Sequence, residues 1–242
     1  MLEFPSWSGR GSGPPVLPDG RTMDRMTSGA RTQFDDPAEL RSRLRHVYWI
    51  GGGSGAGKSA VATAVAARHG LRVYSTDDAM ADHAERSTPG DAPYLSAFLG
   101  MSMDERWVHR TPETMFETFH WFRGEGFGAI VDDLLGIPEP TVAEGFRLLP
   151  HLVAPLLAEP ARAIWLLPSP QFRRDVFAGR GWEIPRRTSD PARARHNLLR
   201  RDEMFTDHLR AEATWLGLPM LEVDGSTTEH DAADQVGRAF GL

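Results

Sequence analysis

The sequence contains no cysteine. That excludes disulfides, thiolate metal sites and cysteine nucleophiles together. No apolar run approaches the roughly 18 residues that a membrane helix needs. No basic block followed by an apolar stretch opens the chain, so no secretory signal is read, and a cytoplasmic location is expected. Metal-ligand spacing is missing as well, since the nine histidines form no close pair with a nearby glutamate. A G-x-S-x-G elbow is absent, because Ala56 fills the last place of Gly52-Gly53-Ser54-Gly55-Ala56. The net charge of -6 weighs against general binding to a nucleic-acid backbone. Lysine is almost absent too: of 27 basic residues, 26 are arginine and one is lysine.

What is present fits a globular chain. At 242 residues and 40% apolar content it has the length and material for one core. Residues 1–36 are broken by Pro14, Pro15, Pro18 and several glycines, which predicts a flexible tail. Met23 and Met26 offer later translation starts, and Asp36 with Pro37 reads as the start of a short helix to Arg45. The domain is expected over 37–242. Val47–Ile50 reads as a strand, Ser59–His69 as a helix stopped by Gly70, and Leu71–Tyr74 as a second strand. A mostly helical segment follows over 79–140. A long helix is expected from Pro112, with a kink or break at Gly124, Gly126 and Gly128. Asp132 and Asp133 continue its period and read as a solvated face. Strands are expected at 141–144, 163–167 and 220–223, and a last helix at 229–240. Strands alternating with helices imply a parallel sheet covered on both faces.

The lone lysine sits in the most informative stretch. Gly52-Gly53-Ser54-Gly55-Ala56-Gly57-Lys58-Ser59 spells G-x-x-x-x-G-K-S between a strand and a helix. Glycines there let backbone N–H groups turn inward around a polyphosphate, and the helix adds its positive end. Lys58 supplies charge at the β and γ phosphates, and Ser59 a hydroxyl for Mg²⁺. ATP and Mg²⁺ are the expected cofactors.

With this loop, the β-α-β unit and five expected strands, residues 46–242 resemble the P-loop kinases of small molecules. The likeness is to the shikimate-kinase, gluconate-kinase and chloramphenicol-phosphotransferase type. It implies a three-layer α/β P-loop NTPase fold with a five-stranded parallel sheet. It also implies a helical substrate-binding insertion over 79–140 and an arginine-rich lid over 171–216. The expected function is ATP- and Mg²⁺-dependent phosphoryl transfer to a hydroxyl of a metabolite, nucleoside or antibiotic. The alternative is a P-loop NTPase or a nucleotide-binding regulatory module with no small-molecule acceptor.

The resemblance also directs attention to single residues. Related kinases often carry D-x-D at the end of the second strand, and Ser75-Thr76-Asp77 keeps only the second carboxylate. Asp77 is expected to orient the acceptor hydroxyl, and a helix cap from Asp77 or Asp78 is the competing reading. Glu144-Gly145 ends the third strand as in uridine-kinase-like enzymes, so Glu144 is expected to hold water on Mg²⁺. A pairing of Glu144 with Arg147 is its alternative. Of the lid arginines, Arg200 and Arg201 lie on the best helical candidate for neutralising transferring oxygens. Asp224-Gly225, after the fifth strand, is where the resemblance puts the adenine. Phe116, Phe119, His120, Trp121 and Phe122 read as core in the first instance, or as part of an acceptor pocket.

Overall fold

A computed structural model describes residues 37–242. The expected tail, its methionines and Asp36 lie outside the described residues. The first helix is α1, Pro37–Arg43. Five parallel strands follow in chain order: β1 Val47–Gly52, β2 Arg72–Ser75, β3 Thr141–Glu144, β4 Ala163–Pro168 and β5 Met220–Val223. They lie in the sheet as β2-β3-β1-β4-β5. Central β1 pairs on one side with β3, Ile50 beside Glu144, and on the other with β4, Gly52 beside Leu166. β2 and β3 thus lie on one side of β1 and β4 and β5 on the other. The chain crosses β1 between β3 and β4, and a crevice opens at the carboxyl end of β1 between its neighbours.

The three inner strands, β3, β1 and β4, are buried on both faces because both are covered. Along β1, Trp49 points into one core and Ile50 into the other, as the two-residue period requires. On one face α2 (Lys58–His69) and α12 (Glu229–Phe240) bury Val61, Val65, Val236 and Phe240 against Ile50, Val142 and Leu166. On the other, α7 (Phe127–Leu135), α8 (Pro150–Val153) and α11 (Pro191–Trp215) bury Ile130, Leu134, Val153, Phe205 and Leu209 against Trp49, Ala143 and Trp165. This is a three-layer α/β P-loop fold. Among the described residues no helix is long and apolar enough to cross a membrane.

The insertion between β2 and β3 contains α3 (Met80–Arg86), α4 (Pro93–Leu99), α5 (Met103–Trp107), α6 (Pro112–Thr118) and α7. The long helix expected from Pro112 is two helices, α6 and α7, joined by a 3-10 turn at His120–Arg123. Gly124 and Gly126 take φ of +79° and +74°, left-handed values that end the turn and restart the chain as α7. The break matters, because it turns His120, Trp121 and Phe122 inward as a wall. After β4 come α9 (Pro170–Arg180), α10 (Glu183–Arg186) and then α11. Helix α11 has 25 residues, about 37 Å of rise. Its first half packs Ala194 and Leu198 against Trp107 and Met115 of the insertion, and its second half enters the sheet core. One rigid rod thus ties the insertion to the sheet.

Candidate active site

The turn from β1 into α2 forms the phosphate loop. Gly52 has φ of +134° and its backbone lies against that of Leu166, so a Cβ there would collide with the neighbouring strand. Gly57 is the N-cap of α2 and, with Lys58, Ser59 and Ala60, borders the cavity, so the first N–H groups of the helix lie there without helical partners. Lys58 is buried, and its ammonium donates to the Gly53 carbonyl at 2.9 Å. Burial lowers its pKa, and the carboxylates of Asp77, Glu144 and Asp202 oppose that shift. Three acidic groups, from the turn after β2, from β3 and from α11, therefore converge on the one lysine.

Glu144, at the end of β3, is 2% exposed. Ser59 Oγ donates to its Oε1 at 3.1 Å, while its Oε2 is buried without a hydrogen-bond partner. Burial raises the Glu144 carboxyl above its ordinary value, against the pull of Lys58. No bond joins Glu144 to Arg147. Among the described residues no group of three His, Asp or Glu could cage a metal alone. A hydroxyl beside a buried carboxylate with a free oxygen does suit Mg²⁺, which keeps several waters and takes few protein ligands.

Asp77 follows β2 and lines the same cavity as the loop. It does not cap a helix: α3 begins after Ala79 with no side-chain cap. The crowding of protein around Asp77 raises its carboxyl, while Lys58 and Arg147 pull it down. Asp78 is exposed and its N–H donates to Ser75 Oγ at 3.4 Å, so it caps nothing either.

Behind Asp77 lies a network the sequence did not reveal. Arg147 is 2% exposed and donates to the carbonyls of Thr76, at 3.2 Å, and Gly126, at 3.1 Å. It also donates to His83 Nδ1 at 2.9 Å, which leaves Nε2–H of His83 to donate to Asp133 at 2.8 Å. Tyr74 donates to the same Asp133 oxygen at 2.7 Å. Asp133, expected on a solvated face, thus ties α7 to β2 and α3. Burial pushes the Asp133 carboxyl up, but the bonds from Tyr74 and His83 bring it below its ordinary value.

The cavity has a volume of about 410 Å³, within the range of small-molecule sites. One end is the phosphate loop with Asp77 and Asp202. The other is an aromatic chamber of Phe98, Trp107, Phe119, His120, Trp121 and Phe122. Phe122 belongs to the main core and Trp121 to a smaller one, with Phe116 and Phe119 packed against them, as the core reading has it. Phe119, His120, Trp121 and Phe122 border the cavity as well. Phe177 and Trp182, stacked at 4.2 Å, and Arg180 form the wall contributed by the segment after β4.

The arginine expectations separate. Arg201 lines the cavity and is 6% exposed, with its Nε and Nη2 on Asp202. Arg200 is a correction: one residue round the helix, it is exposed and pairs with Glu203 at 2.7 Å, away from the cavity. Arg173 was unmarked in the sequence beyond its type. It is 1% exposed and braces the loop, its Nε donating to the Ser54 carbonyl and its Nη2 to Thr206. Asp224 and Gly225 do not border the cavity. Asp224 accepts from Ser226, and Gly225 faces Phe172 of α9, the helix that also flanks Gly55.

A phosphate loop at the carboxyl edge of a parallel β2-β3-β1-β4-β5 sheet places the chain in the P-loop class of α/β folds. No family model matches the sequence. No curated protein matches it either. A solved structure of deoxyadenosine kinase from M. mycoides with bound dATP is similar at a TM-score of 0.44 and 10% identity, covering 81% of this chain and 100% of that one. The fold assignment stands on the sheet order and the loop.

Proposed function

We propose that the protein is a kinase that transfers the γ-phosphate of ATP to a hydroxyl of a small molecule. The observation that carries this reading is a single cavity with two unlike ends: a phosphate loop ringed by Lys58, Asp77, Glu144 and Asp202, and an aromatic chamber beyond them. Water as acceptor needs no such chamber.

In this reading the N–H groups of 54–59 and Lys58 hold the β and γ phosphates. Ser59 and Glu144 would hold Mg²⁺, and the ion would neutralise charge on the phosphate oxygens. Asp77 accepts the proton of the acceptor hydroxyl. Its raised pKa makes it a better base than an ordinary aspartate. The hydroxyl oxygen bonds to the γ-phosphorus, the bond from that phosphorus to the ADP oxygen breaks, and ADP leaves with the electron pair. Arg201 stands at the acceptor end, and Arg180, from the segment after β4, lines the same cavity. The adenine reading of Asp224 and Gly225 draws support from α9, which touches both Gly55 and Gly225.

The test is incubation with labelled ATP, with and without Mg²⁺, and a panel of metabolites, nucleosides and antibiotics, read by mass. Mg²⁺-dependent phosphate gain on an acceptor supports the reading. Acceptor-independent ATP turnover, or tight ATP binding with no transfer, favours the NTPase or regulatory alternative.

A further inference from the structure

Two buried polar atoms at the aromatic end of the cavity have no hydrogen-bond partner: Nη1 of Arg201 and Nδ1 of His120. Their residues are 6% and 3% exposed, and both line the cavity. The remaining Arg201 nitrogens are committed to Asp202. Its guanidinium lies 4.7 Å from the Phe119 ring centroid, 5.2 Å from Phe122 and 5.3 Å from Trp107. His120 is wedged between Phe98, Phe119 and Trp121 at 4.4–4.8 Å. A buried donor left unpaired is costly, and it persists where a ligand completes it.

The charge around His120 has one sign. Burial first, then Arg147, Arg201 and Arg106, hold its pKa down at about 3, so the ring is neutral. A cationic ligand group would meet the same repulsion. The ring walls favour a flat apolar body. A polyol would bury hydroxyls here against rings that cannot bond them.

Building on the phosphoryl-transfer reading, we propose that the acceptor is a flat, ring-bearing alcohol. It carries an oxygen hydrogen-bond acceptor (carbonyl, phenolate or carboxylate) remote from the reacting hydroxyl. Arg201 Nη1 donates to that oxygen, and His120 Nδ1 lies beside it. The reacting hydroxyl then reaches toward Asp77 at the loop end. Arg201 is thus a specificity residue for the acceptor and not for the nucleotide.

The experiment uses the full chain with Mg-ATP and defined probes. Uridine, 4-hydroxybenzyl alcohol and 3-(hydroxymethyl)benzoate carry the ring and the oxygen. Benzyl alcohol lacks the oxygen, gluconate is a polyol, and kanamycin is a polycation. We expect transfer to at least one of the first three, faster than to the others. Arg201→Met should raise KM for that probe tenfold or more and erase its advantage over benzyl alcohol, with Mg-ATP affinity unchanged. Arg201→Lys, which keeps a charge for Asp202, replaces Arg201→Met if the latter does not fold. His120→Phe should also lose the advantage. The proposal is overturned by faster transfer to gluconate or kanamycin, by transfer to none of the first three while Mg-ATP binds, or by unchanged discrimination in both variants. If Mg-ATP gives no thermal shift, the phosphoryl-transfer reading fails instead. The chamber is then decided by whether the three probes raise the thermal midpoint in an Arg201-dependent way.

Discussion

Arg147 grips the carbonyl of Thr76 at 3.2 Å, one residue before Asp77. The same guanidinium lies 4.1 Å from the centroid of Trp121 in the cavity wall. One buried cation therefore sets both the carboxylate end and a wall of the aromatic chamber. Behind it, His83 and Asp133 hold the guanidinium in place.

Removing the Asp133 carboxylate should be felt at Tyr74. Burial, then the bond to Asp133, raises the Tyr74 phenol well above its ordinary pKa. In Asp133→Asn that phenol should titrate at lower pH, by ultraviolet titration of a chain with only three tyrosines. Acceptor turnover should fall several-fold while Mg-ATP affinity stays near wild type. An unchanged Tyr74 titration contradicts the network.

Lys58→Ala should reduce phosphoryl transfer by two orders of magnitude or more, the range for losing a preorganised charge. The fold should survive, since Ala is the best helix former and α2 keeps its Gly57 cap. Turnover with the acceptor found by the panel, beside a circular dichroism spectrum, checks this. Wild-type-like turnover would remove the phosphate loop from the mechanism.

Asp77→Asn should lower turnover roughly 10²-fold with nucleotide affinity retained, as expected for loss of a general base. Asp78→Asn should do little to either, because Asp78, unlike Asp77, does not line the cavity, and it caps no helix. Isothermal titration with an ATP analogue and steady-state kinetics separate the two. A dead Asp78→Asn beside an active Asp77→Asn would move the acceptor contact by one residue.

Stability should depend on Glu212. It is 2% exposed on α11, with His151 of α8 and His208 both at 3.0 Å. Burial alone would raise its carboxyl, but the two histidine contacts bring it down to about 2, from an ordinary 4.5. A depressed folded pKa means the contribution is present above pH 4.5 and is lost as the pH falls toward 2. By linkage it amounts to up to about 3 kcal/mol. Glu212→Gln should therefore destabilise the protein at pH 7, and its deficit should shrink near pH 2.5. Urea unfolding at both pH values measures the difference; a deficit that persists at low pH would mean Glu212 acts by packing.

Local patterns were legible in the sequence because their causes are local. Gly70 stops α2 where the sequence places the stop, and its N–H donates to Ala66. Glu229–Phe240 forms the last helix expected of it. The break near Gly124 was readable, but not its consequence, a 3-10 turn that faces His120, Trp121 and Phe122 into the cavity. Arg200 and Arg201 could not be separated by composition. One position is about 100° of helical rotation, and only the packing of α11 shows that Arg201 faces inward.

The order of strands and helices, the phosphate loop and its lysine were determined by the sequence itself, since apolar periodicity, glycine and capping act over a few residues. The meeting of Lys58, Asp77, Glu144 and Asp202 was decided by tertiary structure alone. So were the Arg147–His83–Asp133 network and the unpaired atoms of Arg201 and His120. These groups come from strands and helices up to 144 positions apart. Their charges and hydrogen bonds gain meaning only where the parallel sheet and α11 bring them together in and behind one cavity.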